Sequence, residues 1–112
     1  MENVTLYKNI ILTILEEFAN DWNNSSQPLE YEIIADEKRQ RFQLVCLGWV
    51  NEKYTHFTIF HIDIRNGKVW IQENRTDIKI AQELTKRGIP KTDIVLGIQP
   101  PELRKYSEYA VA

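Results

Sequence analysis

Cysteine is almost missing from this chain: Cys46 stands alone among 112 residues. That excludes an internal disulfide and any zinc site closed by cysteines. Its flanks, "LVCLGW", bring no histidine or lysine to lower a thiol pKa. Cys46 therefore reads as a small buried hydrophobe rather than a reactive thiol. Histidine is nearly as scarce, with only His56 and His61. No Gly-x-Ser-x-Gly elbow and no His-Glu-x-x-His pair occurs. No apolar run approaches the length needed to cross a bilayer. The opening "MENVTLYKNIILTILEEF" lacks the basic start and small-residue cleavage site of a secretory signal, and Lys8, Glu16 and Glu17 interrupt its apolar stretch. The expectation is a cytoplasmic protein without a membrane partner. An excess of either charge is also missing, since 14 basic side chains face 16 acidic ones. Phosphate neutralisation dominates DNA affinity, so this balance argues against a strong, autonomous DNA binder.

What remains is ordinary for one soluble domain: 43% hydrophobic and 27% charged residues, with no repeat and no linker. A chain of this length buries a core without covalent staples. Val4, Tyr7, Ile11, Ile14, Leu15, Phe18 and Trp22 recur at helical spacing, which predicts a helix over 4–22. "NNSSQP" (23–28) then breaks it. From Leu29 the period becomes two. Strands are expected over 29–36, 41–49, 54–64 and 68–73, joined as an antiparallel meander. Thr76 is placed to cap a second helix, with Ile78, Ala81 and Leu84 on one stripe. Gly88 ends it, Ile89 folds back, and Pro90 blocks continuation. "KTDIVLGIQPP" reads as a turn and an extended apolar piece, and "PELRKYSEYAVA" as a short last helix with Pro101 in its first turn. The fold class is α+β, in a single domain spanning 1–112.

The segment "FHIDIRNGKVWIQ" (60–72) holds the one suggestive pair, His61 and Asp63. Asn66-Gly67 suits a two-residue hairpin turn. That turn sets Arg65 against Lys68, Ile64 against Val69, Asp63 against Trp70, Ile62 against Ile71 and His61 against Gln72. His61 and Asp63 then share a face, but they bond only if their side chains lean together. In this register Thr58 falls on the opposite face, so no nucleophile accompanies them. His56 also points away, which removes a two-histidine metal site. No catalytic, cofactor or metal residue is assigned, and the chain reads as a non-enzyme.

In the same register Phe57 and Ile59 lie on the His61 face, while Phe60, Ile62 and Ile64 lie on the other. A strand apolar on both sides is covered on both sides. Two helices cover one, and the C-terminal segment or a second protein must cover the other; the expectation is an association surface built from His61, Asp63, Trp70 and Gln72, with Tyr106 and Tyr109 from the tail. The implied partner is a second copy, giving a dimer, or another protein. Pairing Trp49 with Tyr54 sets Arg41 awkwardly against Ile62, which a β-bulge relieves. The alternative candidates are basic: Lys38, Arg39 and Arg41, then Lys86, Arg87 and Lys91. Each cluster is short and has acidic neighbours, so a solvated mixed surface competes with a weak nucleic-acid contact.

"HIDIRNGKVWIQ" (61–72) followed by "IAQELTKRGIPKTDIVLGIQPPELRKYSEYAVA" (80–112), with "LYKNIILTILEEFA" and "QRFQLVCLGW", resembles the fdxN element excision controlling factor family, the XisI-like proteins. The resemblance implies a cyanobacterial accessory factor. Its role is control of the programmed excision of a DNA element from a nitrogen-fixation region during heterocyst development. The cutting and joining belong to a site-specific recombinase, and a nuclease-like companion, XisH, acts alongside. It implies no catalytic or ligand residues. A direct DNA-binding accessory factor and an antitoxin-like restraint on a nuclease partner stand as the alternatives.

Overall fold

The computed structural model describes residues 2–25 and 28–112, so the middle of the expected 23–28 loop, Ser26 and Gln27, lies outside the described residues. The first helix, α1 (Glu2–Asn23), is set by its apolar spacing: Tyr7, Ile11, Ile14, Leu15 and Ala19 are buried in one stripe. Four strands follow as the expected meander, β1 (Glu30–Asp36), β2 (Arg41–Val50), β3 (Lys53–Arg65) and β4 (Lys68–Asn74).

The extended apolar piece after the second helix is a fifth strand, β5 (Ile94–Leu96), parallel to β4 and completing the sheet order β1-β2-β3-β4-β5. Ile94 and Val95 are fully buried, which a loop's unpaired backbone would not permit. Parallel pairing needs a crossover, and α2 (Ile80–Lys86) supplies it.

Two expected helices are corrected. α2 starts at Ile80 and not beside Thr76. Thr76 Oγ1 donates to Asn74 Oδ1 (2.7 Å) and accepts the Ile78 N–H (3.0 Å), so its hydroxyl closes a local turn instead of a helix. The far end is as expected: Gly88 sits at φ +113°, and the Ile89 N–H reaches back to the Leu84 carbonyl (3.1 Å) with Ile89 fully buried. The C-terminal helix is a 3-10 helix, Pro101–Tyr106. Ser107 Oγ donates to the Arg104 carbonyl, ending it, and the Ala110 N–H then donates to Ile94 (2.8 Å), laying the tail along β5.

Two β-bulges decide which residues share a face. Trp49 pairs with Tyr54 as expected, but between β2 and β3 the register shifts at Leu44/Val45, leaving Ile59 as the extra residue. Arg41 therefore meets Asp63 and not Ile62. The shift also moves Phe57 and Ile59 to the core face, where Ile59 is buried and Phe57 packs against the core. The inference that β3 is apolar on both faces is corrected accordingly. Thr58 and His56 move the other way, onto the His61 face. The two histidines oppose Gln43 and Leu47 of β2, about 13 Å apart at strand spacing and too far for one ion. In the β3–β4 hairpin four of the five expected pairs stand, from Arg65↔Lys68 to Ile62↔Ile71. The fifth is corrected: Gln72 is the bulged residue, and His61 opposes Glu73.

Both helices pack on one face of the sheet, clamped to each other by the Arg87–Glu17 ion pair (2.5 Å). α1 is further tied to the turn before β5, since the Tyr7 hydroxyl donates to Asp93. Burial first, and then the Asp93 carboxylate, push the Tyr7 pKa up to about 12. The folded chain therefore holds this proton more tightly than the unfolded one, whose tyrosine titrates near pH 10. Stability from this bond is complete below about pH 10 and is lost as pH rises toward 12. Urea unfolding midpoints are expected to fall steeply over that window in the wild type, and less steeply in Tyr7→Phe.

Candidate functional site: the open face of the sheet

The face opposite the helices is the candidate site. Alternation on β2 puts Phe42, Leu44 and Cys46 in the core, and Arg41, Gln43, Val45, Leu47 and Trp49 on the open side. β3 contributes Tyr54, His56, Thr58, His61, Asp63 and Arg65, and β4 adds Trp70.

At its basic end, Asp63 is a fully buried charged residue (0% exposed) on a face that neither α1 nor α2 covers. Its own neighbours roof it. His61 Nε2 lies 2.6 Å from one carboxylate oxygen and Arg41 Nε 3.6 Å from the same oxygen. The other oxygen accepts from Arg65 Nη2 (2.9 Å), Arg65 Nε (3.1 Å) and Gln72 Nε2 (3.3 Å). The bulge lets Gln72 reach in, and Gly97 backs it. A Cβ on Gly97 would lie 2.5 Å from Gln72 Oε1 and 3.0 Å from the Ile71 carbonyl, so the position has no room for a side chain. Beside this hub, Trp70 is flanked by two guanidinium groups, Arg104 at 5.2 Å and Arg65 at 6.0 Å from its ring. The tail's 3-10 helix thus lies over the open face at its β4 side.

The two side chains do lean together, so the condition for a His61–Asp63 contact is met. Its chemistry is set by what stands on the other ring nitrogen. Gln43 Nε2 faces His61 Nδ1 at 3.4 Å, and Gln43 Oε1 accepts from Thr58 Oγ1 (3.4 Å). The chain of contacts runs Thr58–Gln43–His61–Asp63. Both ring nitrogens are engaged, and the hydroxyl is one side chain too far to be a nucleophile for this base. Among the described residues no cluster of three histidine, cysteine or acidic side chains is arranged to hold a metal ion.

Of the expected interface residues, His61, Asp63, Trp70 and Gln72 come together here. Tyr106 stands 77% exposed on the tail's 3-10 helix, and Tyr109 is half-buried against the core. The basic candidates are distributed otherwise. Lys38, Arg39 and Arg41 sit around the β1–β2 turn, with Arg39 bound to Asp36 (2.9 Å). Lys86 is bound to Glu83 (3.4 Å), Arg87 to Glu17 and Lys91 to Glu108 (2.7 Å), all about the end of α2. Sequence reasoning missed the apolar end of the open face, Trp49, 63% exposed and edge-on to Tyr54 at 5.3 Å, and also Ile34, exposed on β1 opposite Gln43 toward the basic end. The signal was present in the alternation 42-44-46 against 45-47-49. No helix among the described residues is long and apolar enough to cross a membrane.

Comparison with known proteins agrees with this architecture. A solved XisI-like protein from Anabaena variabilis ATCC 29413 is 37% identical, with a TM-score of 0.90 over 97% of this chain and 99% of its own. The fdxN element excision controlling factor XisI of the same organism is 34% identical, with a TM-score of 0.84 over 98% of this chain and 99% of its own. No curated protein matches. The model of the XisI protein family matches residues 1–111, and the chain belongs to that family.

Proposed function

We propose that this chain is a non-enzymatic accessory factor that controls excision of a DNA element by binding other proteins. It works in the cytoplasm of a cyanobacterium, in the setting of heterocyst development. Its partners are a second copy of itself, through the open sheet face, and a XisH-like, nuclease-related protein. The similarity to an excision controlling factor supplies the process. The observation that carries the mode of action is the open face itself. It leaves the Trp49–Tyr54 pair exposed at one end and Ile34 exposed opposite Gln43 toward the other, apolar side chains that no layer of this fold covers.

Its charge is divided in a way that suits self-association. Glu30 and Glu32 of β1 occupy one corner, and Arg41, Arg65 and Lys68 surround the opposite one. A two-fold axis lying between crossed sheets brings unlike corners together. The reading as a direct DNA binder is weaker, because five of its six basic candidates are already within ion-pair distance of a carboxylate: Arg39, Arg41, Lys86, Arg87 and Lys91.

Light scattering after size exclusion tests the proposal, with the chain alone and co-expressed with the XisH-like protein. A dimer is expected. Trp49→Ala is expected to weaken it by about thirtyfold, the effect of an aromatic anchor worth about 2 kcal/mol. A strict monomer that co-purifies with nothing ends the proposal. Salt-sensitive binding of duplex DNA by that monomer hands the function to the DNA reading.

A further inference from the structure

β4 and β5 run parallel, with α2 carrying the chain between them. Their carboxyl ends, Asn74 and Leu96, therefore lie at the same end of the sheet. The crevice outside the carboxyl ends of parallel strands is where open sheets take small ligands. A cavity of about 350 Å³ opens at that place, between the strand ends and the segment leading into α2. Its volume lies within the range of small-molecule sites.

The floor of the cavity is apolar. Ile71 and Ile80 are buried, and Leu96, opposite Ile71, packs against the core. Ile98, half exposed, stands at the mouth. The polar groups there are Lys79, Asn74 and Gln99, and no acidic side chain lines the cavity. Asn74 Oδ1 is already engaged by the Thr76 N–H (2.9 Å) and hydroxyl (2.7 Å), and Asn74 Nδ2 donates one hydrogen to the Ile78 carbonyl (2.8 Å). Its side chain has only an N–H left to offer. Lys79 makes no ion pair among the described residues, whereas Lys86, Arg87 and Lys91 at the far end of α2 each have a carboxylate. The Gln99 side-chain amide is likewise unpaired among the described residues.

We propose that this cavity binds a small monocarboxylic acid with a branched or aromatic hydrocarbon body. The body covers the apolar floor, and the carboxylate meets the Lys79 ammonium and the amide N–H groups of Asn74 and Gln99 at the mouth. The same groups select against an amino acid, because its ammonium would stand among donors with no carboxylate to receive it. A dicarboxylate is disfavoured too, since its second charge would lie on the apolar floor. The inference goes beyond the reading that the chain binds proteins, and it uses other residues. Ile71, Asn74 and Leu96 lie on the helix side of the sheet, Asn74 opposite the core residue Phe60, so the open face contributes nothing to this site.

Amide NMR on the full chain tests it, with 4-methylpentanoate as the probe. Shifts are expected within 71–81 and 96–99, and they saturate with a Kd of about 1 mM, as suits a ligand of few atoms. The uncharged 4-methylpentanamide has the same body and is expected to bind about fivefold more weakly. Leucine, which adds an ammonium to that body, is expected to bind at least about tenfold more weakly. Lys79 is exposed, so Lys79→Met keeps the stem and the fold while removing the charge. It is expected to bring the acid down to the affinity of the amide and to leave the amide unchanged. Absence of saturable shifts in these segments overturns the proposal. Equal binding of acid and amide by the wild type overturns it as well, as does wild-type affinity for the acid in Lys79→Met. Every readout is taken without a partner protein, so a failure here and a failure of the protein-binding reading are told apart.

Discussion

Asp63→Ala is expected to lower the melting temperature by about 10–20 °C, corresponding to about 3 kcal/mol in a domain of this size. The carboxylate is fully buried, and it neutralises Arg65, Arg41 and the His61 N–H at once. Removing it leaves those donors crowded together without an acceptor. The two arginines are partly exposed and can turn toward water, which keeps the cost at the lower end of the range for breaking a buried pair. His61→Ala makes the informative contrast. The imidazole is 28% exposed at its side chain, and its loss leaves Asp63 held by both arginines and Gln72. That change is expected to cost about 1 kcal/mol, the worth of one such hydrogen bond. A catalytic pair would lose function equally on removal of either member, with stability little affected. A structural hub loses stability unequally. Thermal unfolding of both variants separates the two, and an Asp63→Ala melting point within about 3 °C of wild type would dismiss the hub.

The hub also explains why the open face holds its shape. A sheet face that α1 and α2 leave uncovered has no core to fix its side chains. Here the Asp63 cluster fixes Arg41, Arg65 and Gln72, and through Arg65 and Arg104 it steadies Trp70. Side chains locked before association lose less entropy on binding. The cluster thus holds one end of the face in place, while the exposed Trp49–Tyr54 pair at the other end has its own edge-on ring contact.

The sequence made the hairpin legible because Asn66-Gly67 is a turn with a steric reason: both residues take positive φ, 52° and 77°. The Gly88 stop was legible on the same ground. The fifth strand was half-legible, as an apolar extended piece whose pairing partner lies beyond local reach. Thr76 misled because a hydroxyl before an apolar stripe suits a helix cap and a side-chain turn equally, and Asn74 decides between them. The bulges were the real loss. One extra residue at Ile59 reverses the face of every residue from Lys53 to Thr58, yet nothing in the alternation of "YTHFTIF" marks it. The His61–Asp63 pair was read correctly as sharing a face, since both lie beyond the shift. Arg41 and Gln43 were invisible as its partners, because they are assigned only once the bulge is in place.

That assignment has a sharp energetic consequence, in Phe60→Ala and Phe57→Ala. Phe60 is fully buried and stacks on Phe18 (5.5 Å) and Trp22 (6.4 Å), joining β3 to the last turns of α1. Its truncation is expected to cost about 4 kcal/mol, from lost burial and from the cavity left under α1. This is the largest single effect expected in the chain, and it is read from urea unfolding at an unchanged slope. Phe57 is half-buried, on the core face beside Cys46, with Trp22 across a separate cavity. Its truncation is expected to cost about half as much. Had β3 run without its bulge, Phe57 would stand on the open face, and losing its ring would cost about 0.5 kcal/mol or less, as surface changes do. A Phe57→Ala value in that low range would return Phe57 to the open side, and with it the demand for a second covering layer over β3.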